Sequence, residues 1–87
     1  MFNRIRDYIK NKGLCYTAAS KSGKVELSIC ADLNAARVET PYTNTLVDLD
    51  DVISALTEAY KDAQDAADDR VAEEVHSIRQ TIAKVYV

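Results

Sequence analysis

DLDDVISALTEAYKDAQDAADDRVAEEVHSIRQTIAKVYV, residues 48–87, is the stretch whose reading decides the fold. Its apolar residues Leu49, Ile53, Leu56, Tyr60, Ala63, Ala67, Val71, Val75, Ile78, Ile82 and Val85 recur every three or four positions. That spacing puts them on one stripe of an α-helix. Asp48 is a good N-cap, and Val47 and Val52 fit a hydrophobic staple around it. Asp50 and Asp51 fall in the first turn, where the helix dipole favours anions. No Gly or Pro occurs after Pro41, so no local signal stops the helix. Unbroken, it would run roughly 37 residues and ~55 Å at about 1.5 Å per residue. A domain of this length has a radius of gyration of only ~12 Å. The helix must therefore fold back near residues 66–70 or pack against another chain. Runs of heptad spacing with extra four-residue steps favour the second slightly. Leu56, Tyr60, Ala63, Ala67, Val71, Val75, Ile78 and Ile82 are the expected oligomer interface, and a homo-oligomer is expected.

The same stretch carries a second pattern. Asp51, Glu58, Asp62, Asp65, Asp69 and Glu73 follow each other at steps of 7, 4, 3, 4 and 4, so one helix would carry them on one face, away from the apolar stripe. Residues 48–74 hold ten acids against two bases, Lys61 and Arg70. Like charges at i,i+4 destabilise a helix, and Glu58–Asp62, Asp65–Asp69 and Asp69–Glu73 have that spacing. The face is either a solvated surface or a surface made for a basic protein partner.

Upstream, Phe2, Ile5 and Ile9 have helical spacing, with Lys10 and Lys12 in the last turn and Gly13 after it. A short amphipathic helix over 2–12 is expected. Residues 14–20 and 25–31 read as strands around Ser22-Gly23. If Lys21 opposes Lys24, then Ala18 faces Leu27, Tyr16 faces Ile29 and Cys15 faces Cys30. Residues 32–34 form a second turn, and Ala36, Val38 and Thr40 alternate as a third strand before Pro41. Residues 41–45 read as a polar loop. The expectation is an α+β fold: a short N-terminal helix, a three-stranded antiparallel meander and a long C-terminal helix, continuous or broken. Residues 1–87 form one small domain, with 48–87 a helical segment suited to oligomerisation.

Charge and composition limit the function. The net charge is −3, yet residues 1–47 hold seven Lys or Arg against four acids. Arg4, Arg6, Lys10 and Lys12 make a basic patch, but with the acidic total, direct nucleic-acid binding is not expected. No apolar run reaches the ~18 residues of a membrane span, and residues 1–12 lack a signal-peptide core. A cytoplasmic protein with reduced cysteines is expected. In a two-residue hairpin, Cys15 and Cys30 would form a hydrogen-bonded pair, a spacing poorly suited to a disulfide. A four-residue Lys21–Lys24 loop would reverse that parity. Glu73 and His76 resemble half of a di-iron Glu-x-x-His element, but no second copy exists in the chain. There is no phosphate loop and no serine or cysteine triad pattern. No enzyme activity, cofactor or metal is expected.

Small size, acidity and the lack of catalytic motifs resemble small phage-encoded inhibitors, including anti-restriction and anti-CRISPR proteins. The resemblance is one of type and transfers no residue role. It implies a non-enzymatic acidic module that inhibits a nucleic-acid-handling partner, for instance as a nucleic-acid mimic. The alternatives are a structural oligomerisation module with a solvated acidic face, or a nucleic-acid-binding regulator using the basic first helix.

Overall fold

The computed structural model describes residues 15–30 and 32–86, with side chains to residue 84. The expected helix over 2–12 lies outside the described residues. Four strands, β1 (Cys15–Ala19), β2 (Glu26–Cys30), β3 (Ala35–Thr40) and β4 (Thr43–Asp48), form an antiparallel meander in the order β1-β2-β3-β4. A 3₁₀ turn, Leu49–Asp51, leads into helix α1 (Val52–Asp65), and α2 (Asp69–Tyr86) follows. The two helices pack on each other, and α1 lies against β3 and β4. The architecture is thus a helical hairpin over one face of an α+β sheet.

Pairing of β1 with β2 follows the expected register: Ala18 opposes Leu27, Tyr16 opposes Ile29 and Cys15 opposes Cys30. The connection differs from a two-residue turn. The Ser20 amide donates to the Val25 carbonyl at 2.9 Å, which closes a four-residue loop. Gly23, at φ 75°, takes the left-handed position that a side chain would disfavour.

A fourth strand replaces the expected loop at 43–45, and the chain turns into it at Pro41-Tyr42. This strand is hard to read because its large apolar residue, Leu46, points away from the core and is 64 % exposed. Thr43, Thr45 and Val47 take the helix-covered face, opposite Thr40, Val38 and Ala36. Two threonines and one valine make a weak alternation signal.

The long helix is broken into two, at residues 66–68. The amide of Asp68 donates to the Ala63 carbonyl and that of Ala67 to the Gln64 carbonyl, both at 2.9 Å. This pair of bonds is a Schellman cap. Its left-handed residue is Ala67, at φ 56°, where glycine is usual. An L-residue there costs roughly 1–2 kcal/mol, so the sequence shows no stop. Asp68 restarts the chain, its Oδ1 accepting from the Val71 amide at 3.2 Å as an N-cap.

One core unites the layers. Val25, Leu27, Ile29, Ala36 and Val38 come from the sheet. Leu49, Val52, Ala55, Leu56, Ala59 and Ala63 come from the turn and α1, and Val71, Ala72, Val75 and Ile82 from α2. Because α1 touches both the sheet and α2, its buried arc is wider than a seam. It is centred on Val52, Leu56, Ala59 and Ala63, while Ile53 and Tyr60 are only partly buried. Of the stripe assigned to an oligomer, Leu56, Ala63, Val71, Val75 and Ile82 are buried inside this one chain. Tyr60 and Ile78 are partly buried, and Ala67 is exposed on the turn. No helix among the described residues is long and apolar enough to cross a membrane.

Candidate functional site

The break at 66–68 divides the acidic row. Asp51, Glu58, Asp62 and Asp65 stay with the first helical segment, whereas Asp69 and Glu73 move to α2. Asp62 is half-buried and the other five are exposed. Asp51, Glu58 and Asp62 come together with the last strand. With Ser54 and Ala55 they line a shallow groove whose other wall is Thr43, Thr45 and Val47 of β4. The chain reverses between β4 and α1, so the strand runs antiparallel to the helix. The Thr43 hydroxyl accordingly donates to Asp62 Oδ2 at 2.9 Å.

Among the described residues these carboxylates have little basic compensation. Among the described residues, Asp51 and Asp62 make no ion pair, and Glu58 meets only the exposed Lys61, at 4.0 Å. A pair so exposed contributes little, about 0–1 kcal/mol. Among the described residues the groove therefore presents three nearly uncompensated charges beside a sheet edge. Asp65, Asp69 and Glu73 are not gathered there. Glu73 lines a separate hollow with Lys21, Glu74 and Ser77.

A second cluster ties α2 to the β1–β2 loop. Glu74, whose side chain is 14 % exposed, accepts from the Ser22 hydroxyl at 2.6 Å and faces Arg70 at 3.9 Å. The Ser22 hydrogen bond holds the Glu74 carboxyl below its ordinary value, and partial burial opposes it. At the opposite turn, Tyr42 donates to Asp68 Oδ2 at 2.7 Å. This bond lowers the Asp68 pKa and raises that of Tyr42. Both contacts hold loops in place, and neither touches the groove.

The Glu74 contact has a pH signature. Its folded pKa lies below its unfolded one. Its stabilisation is thus complete above about pH 4.5 and is lost as pH falls through the folded value. Glu74→Gln is expected to flatten the fall in urea midpoint between neutral pH and roughly pH 3. An unchanged acid slope would show that Ser22 does not stabilise the ionised carboxylate.

The outer sheet face, opposite the helices, was not anticipated as a surface. A hollow there is lined by Cys15, Cys30, Leu33, Ala35, Arg37 and Leu46, among others. Leu33 is 74 % and Leu46 64 % exposed. Cys15 and Cys30 are joined in a disulfide with Cα atoms 4.4 Å apart. This corrects the expectation of free thiols. The Ser20–Val25 bond sets the ladder parity so that 15 and 30 form a non-hydrogen-bonded pair, for which about 4.5 Å is usual.

Among the described residues no group of three or more His, Cys, Asp or Glu could hold a metal ion. His76 lies 5.9 Å, centroid to centroid, from the Tyr60 ring. Comparison of the chain with protein-family models, curated proteins and solved structures finds no match.

Proposed function

We propose that the protein is a non-enzymatic binding module that docks a basic protein surface through the Asp51, Glu58 and Asp62 groove. The observation that carries this reading is the placement of three carboxylates, nearly uncompensated among the described residues, along one edge of the sheet. Charge of one sign along a groove attracts an oppositely charged partner and speeds encounter. In its sharpest form the partner is a nucleic-acid-handling protein whose phosphate-binding surface the carboxylates occupy, so that binding inhibits it. An oligomerisation module is the second reading. Of the stripe assigned to it, Tyr60, Ile78 and Ala67 retain access to solvent.

The test is the variant Asp51→Asn/Glu58→Gln/Asp62→Asn, which keeps the side-chain shapes and the Thr43 acceptor. Affinity capture from one cell extract with wild type and variant, quantified by mass spectrometry, compares them directly. Basic proteins retained by wild type should fall at least tenfold on the variant. They should also fall as salt rises above physiological strength, where the screening length drops below ~8 Å. Equal recovery on both proteins would remove the role of the groove.

A further inference from the structure

We propose that the outer edge of β4, which no described strand pairs, is a strand-addition site for an extended segment that alternates Lys or Arg with apolar residues. The proposal rests on the basic-partner reading above and specifies how such a partner binds.

The ladder parity supports it first. The Leu49 amide donates to the Asn34 carbonyl at 3.2 Å, one step beyond the β3–β4 ladder. In an antiparallel pair, hydrogen-bonded positions alternate. Residues 36/47, 38/45 and 40/43 are therefore the bonded pairs in the observed register. The N–H and C=O groups of Asn44, Leu46 and Asp48 point the other way, out of the sheet. Among the described residues β4 pairs with β3 alone. Edges of this kind are normally blunted by Lys, Pro or a bulge. The strand, Thr-Asn-Thr-Leu-Val-Asp, contains neither Lys nor Pro, and its register runs without a bulge.

The side chains around the edge then select the occupant. An added strand sends successive side chains to opposite faces. On the helix side they meet Asp51, Glu58 and Asp62. On the outer side they meet Leu46, which is 64 % exposed. The lengths agree. Asp51 to Asp62 spans eleven residues of rise, ~16 Å along the helix axis. A five-residue strand covers a similar ~17 Å. Glu58 and Asp62 stand ~6 Å apart along that axis, close to the ~6.6 Å between same-face residues of a strand. Basic residues two apart in an added strand thus come opposite both carboxylates. Backbone pairing supplies affinity, and the alternate side chains supply selectivity.

The test uses three synthetic peptides with the intact protein. One alternates Lys and Val. The second has the same composition in two blocks. The third is the alternating peptide N-methylated at every second amide, which removes donors from one edge. Titration calorimetry should show the alternating peptide binding at least tenfold tighter than the other two. On binding, the amides of Asn44, Leu46 and Asp48 should gain protection from hydrogen exchange. Leu46→Pro removes an outward N–H without breaking a β3 bond, and should reduce binding further than Leu46→Ala does. The methylated peptide makes the same point without altering the protein, should Leu46→Pro fail to fold. Equal binding of all three peptides, still lost on neutralising the groove carboxylates, overturns strand addition and leaves the basic-partner reading standing. Pattern-dependent binding unaffected by that neutralisation overturns the basic chemistry. No binding of any peptide overturns both.

Discussion

Reduction of the Cys15–Cys30 disulfide is expected to lower the melting temperature by roughly 12–24 °C. The bond closes a loop with a sequence separation of 15. Chain-entropy arguments give about 3 kcal/mol for a loop of that size. A domain of 60–100 residues shifts by roughly 4–8 °C per kcal/mol. Circular-dichroism melts with and without reductant measure the shift, and Cys15→Ser/Cys30→Ser should reproduce it under oxidising conditions. Protein unfolded without reductant should not react with a thiol probe. Two labelled cysteines, or melts that do not respond to reductant, would show that the thiols are free. The bond joins β1, at the sheet edge, to β2 on the face away from the helices. It therefore clamps an edge strand that has no fully buried residue of its own.

Leu56→Ala should destabilise the protein by about 3 kcal/mol, within the usual range of roughly 2–5 for a buried leucine. Leu56 is fully buried where α1 meets the rest of the core. Truncation leaves a cavity that sheet and helices cannot both collapse to fill. Leu46→Ala is the matched control, because Leu46 is 64 % exposed. Its effect should stay within about 0.5 kcal/mol. The comparison isolates environment from residue type. It also tests where the apolar stripe is buried. If Leu56 packs inside one chain, the loss seen in urea unfolding is independent of protein concentration. If the stripe were a seam between chains, the midpoint would rise with concentration. A concentration-dependent midpoint, or equal effects of the two substitutions, would contradict the core described above.

The first hairpin was legible because one assumption, that Lys21 opposes Lys24, sets every later pair, and a one-residue slip would turn each apolar residue outward. The turn geometry was not legible. Two-residue and four-residue loops share the same pairing sum, yet they place Cys15 and Cys30 in opposite classes of pair. The loop is set by the Ser20 hydroxyl, which accepts from the Val25 amide, and by the left-handed Gly23. Residues 43–48 escaped detection for another reason. A strand at an edge is buried only in part, so threonine serves where a central strand needs valine. Leu46, turned outward, reverses the expected alternation.

The acidic row shows the same division. Helical spacing put Asp51, Glu58 and Asp62 on one face, and the structure brings them to one groove, Glu58 and Asp62 from α1 and Asp51 from the turn before it. The same spacing also joined Asp65, Asp69 and Glu73 to them, which holds only if the helix is continuous. The continuation fails at Ala67, a residue that carries no stop signal of its own. What supports the strained turn is tertiary: Tyr42 reaches Asp68 from the β3–β4 turn, and the two helices bury one apolar stripe against each other and the sheet.

Local chemistry by itself determined that this chain makes amphipathic helices, a meander with a definite first register, and a carboxylate row set apart from the apolar one. Those follow from side-chain periodicity, which needs no knowledge of neighbours. Only the tertiary structure decided that the long helix folds back, that a fourth strand forms, that the cysteines meet as a bonded pair and that three of six carboxylates share a groove. Each of these outcomes sets a local cost or a weak propensity against burial elsewhere in the chain, and that balance exists only once the layers are packed.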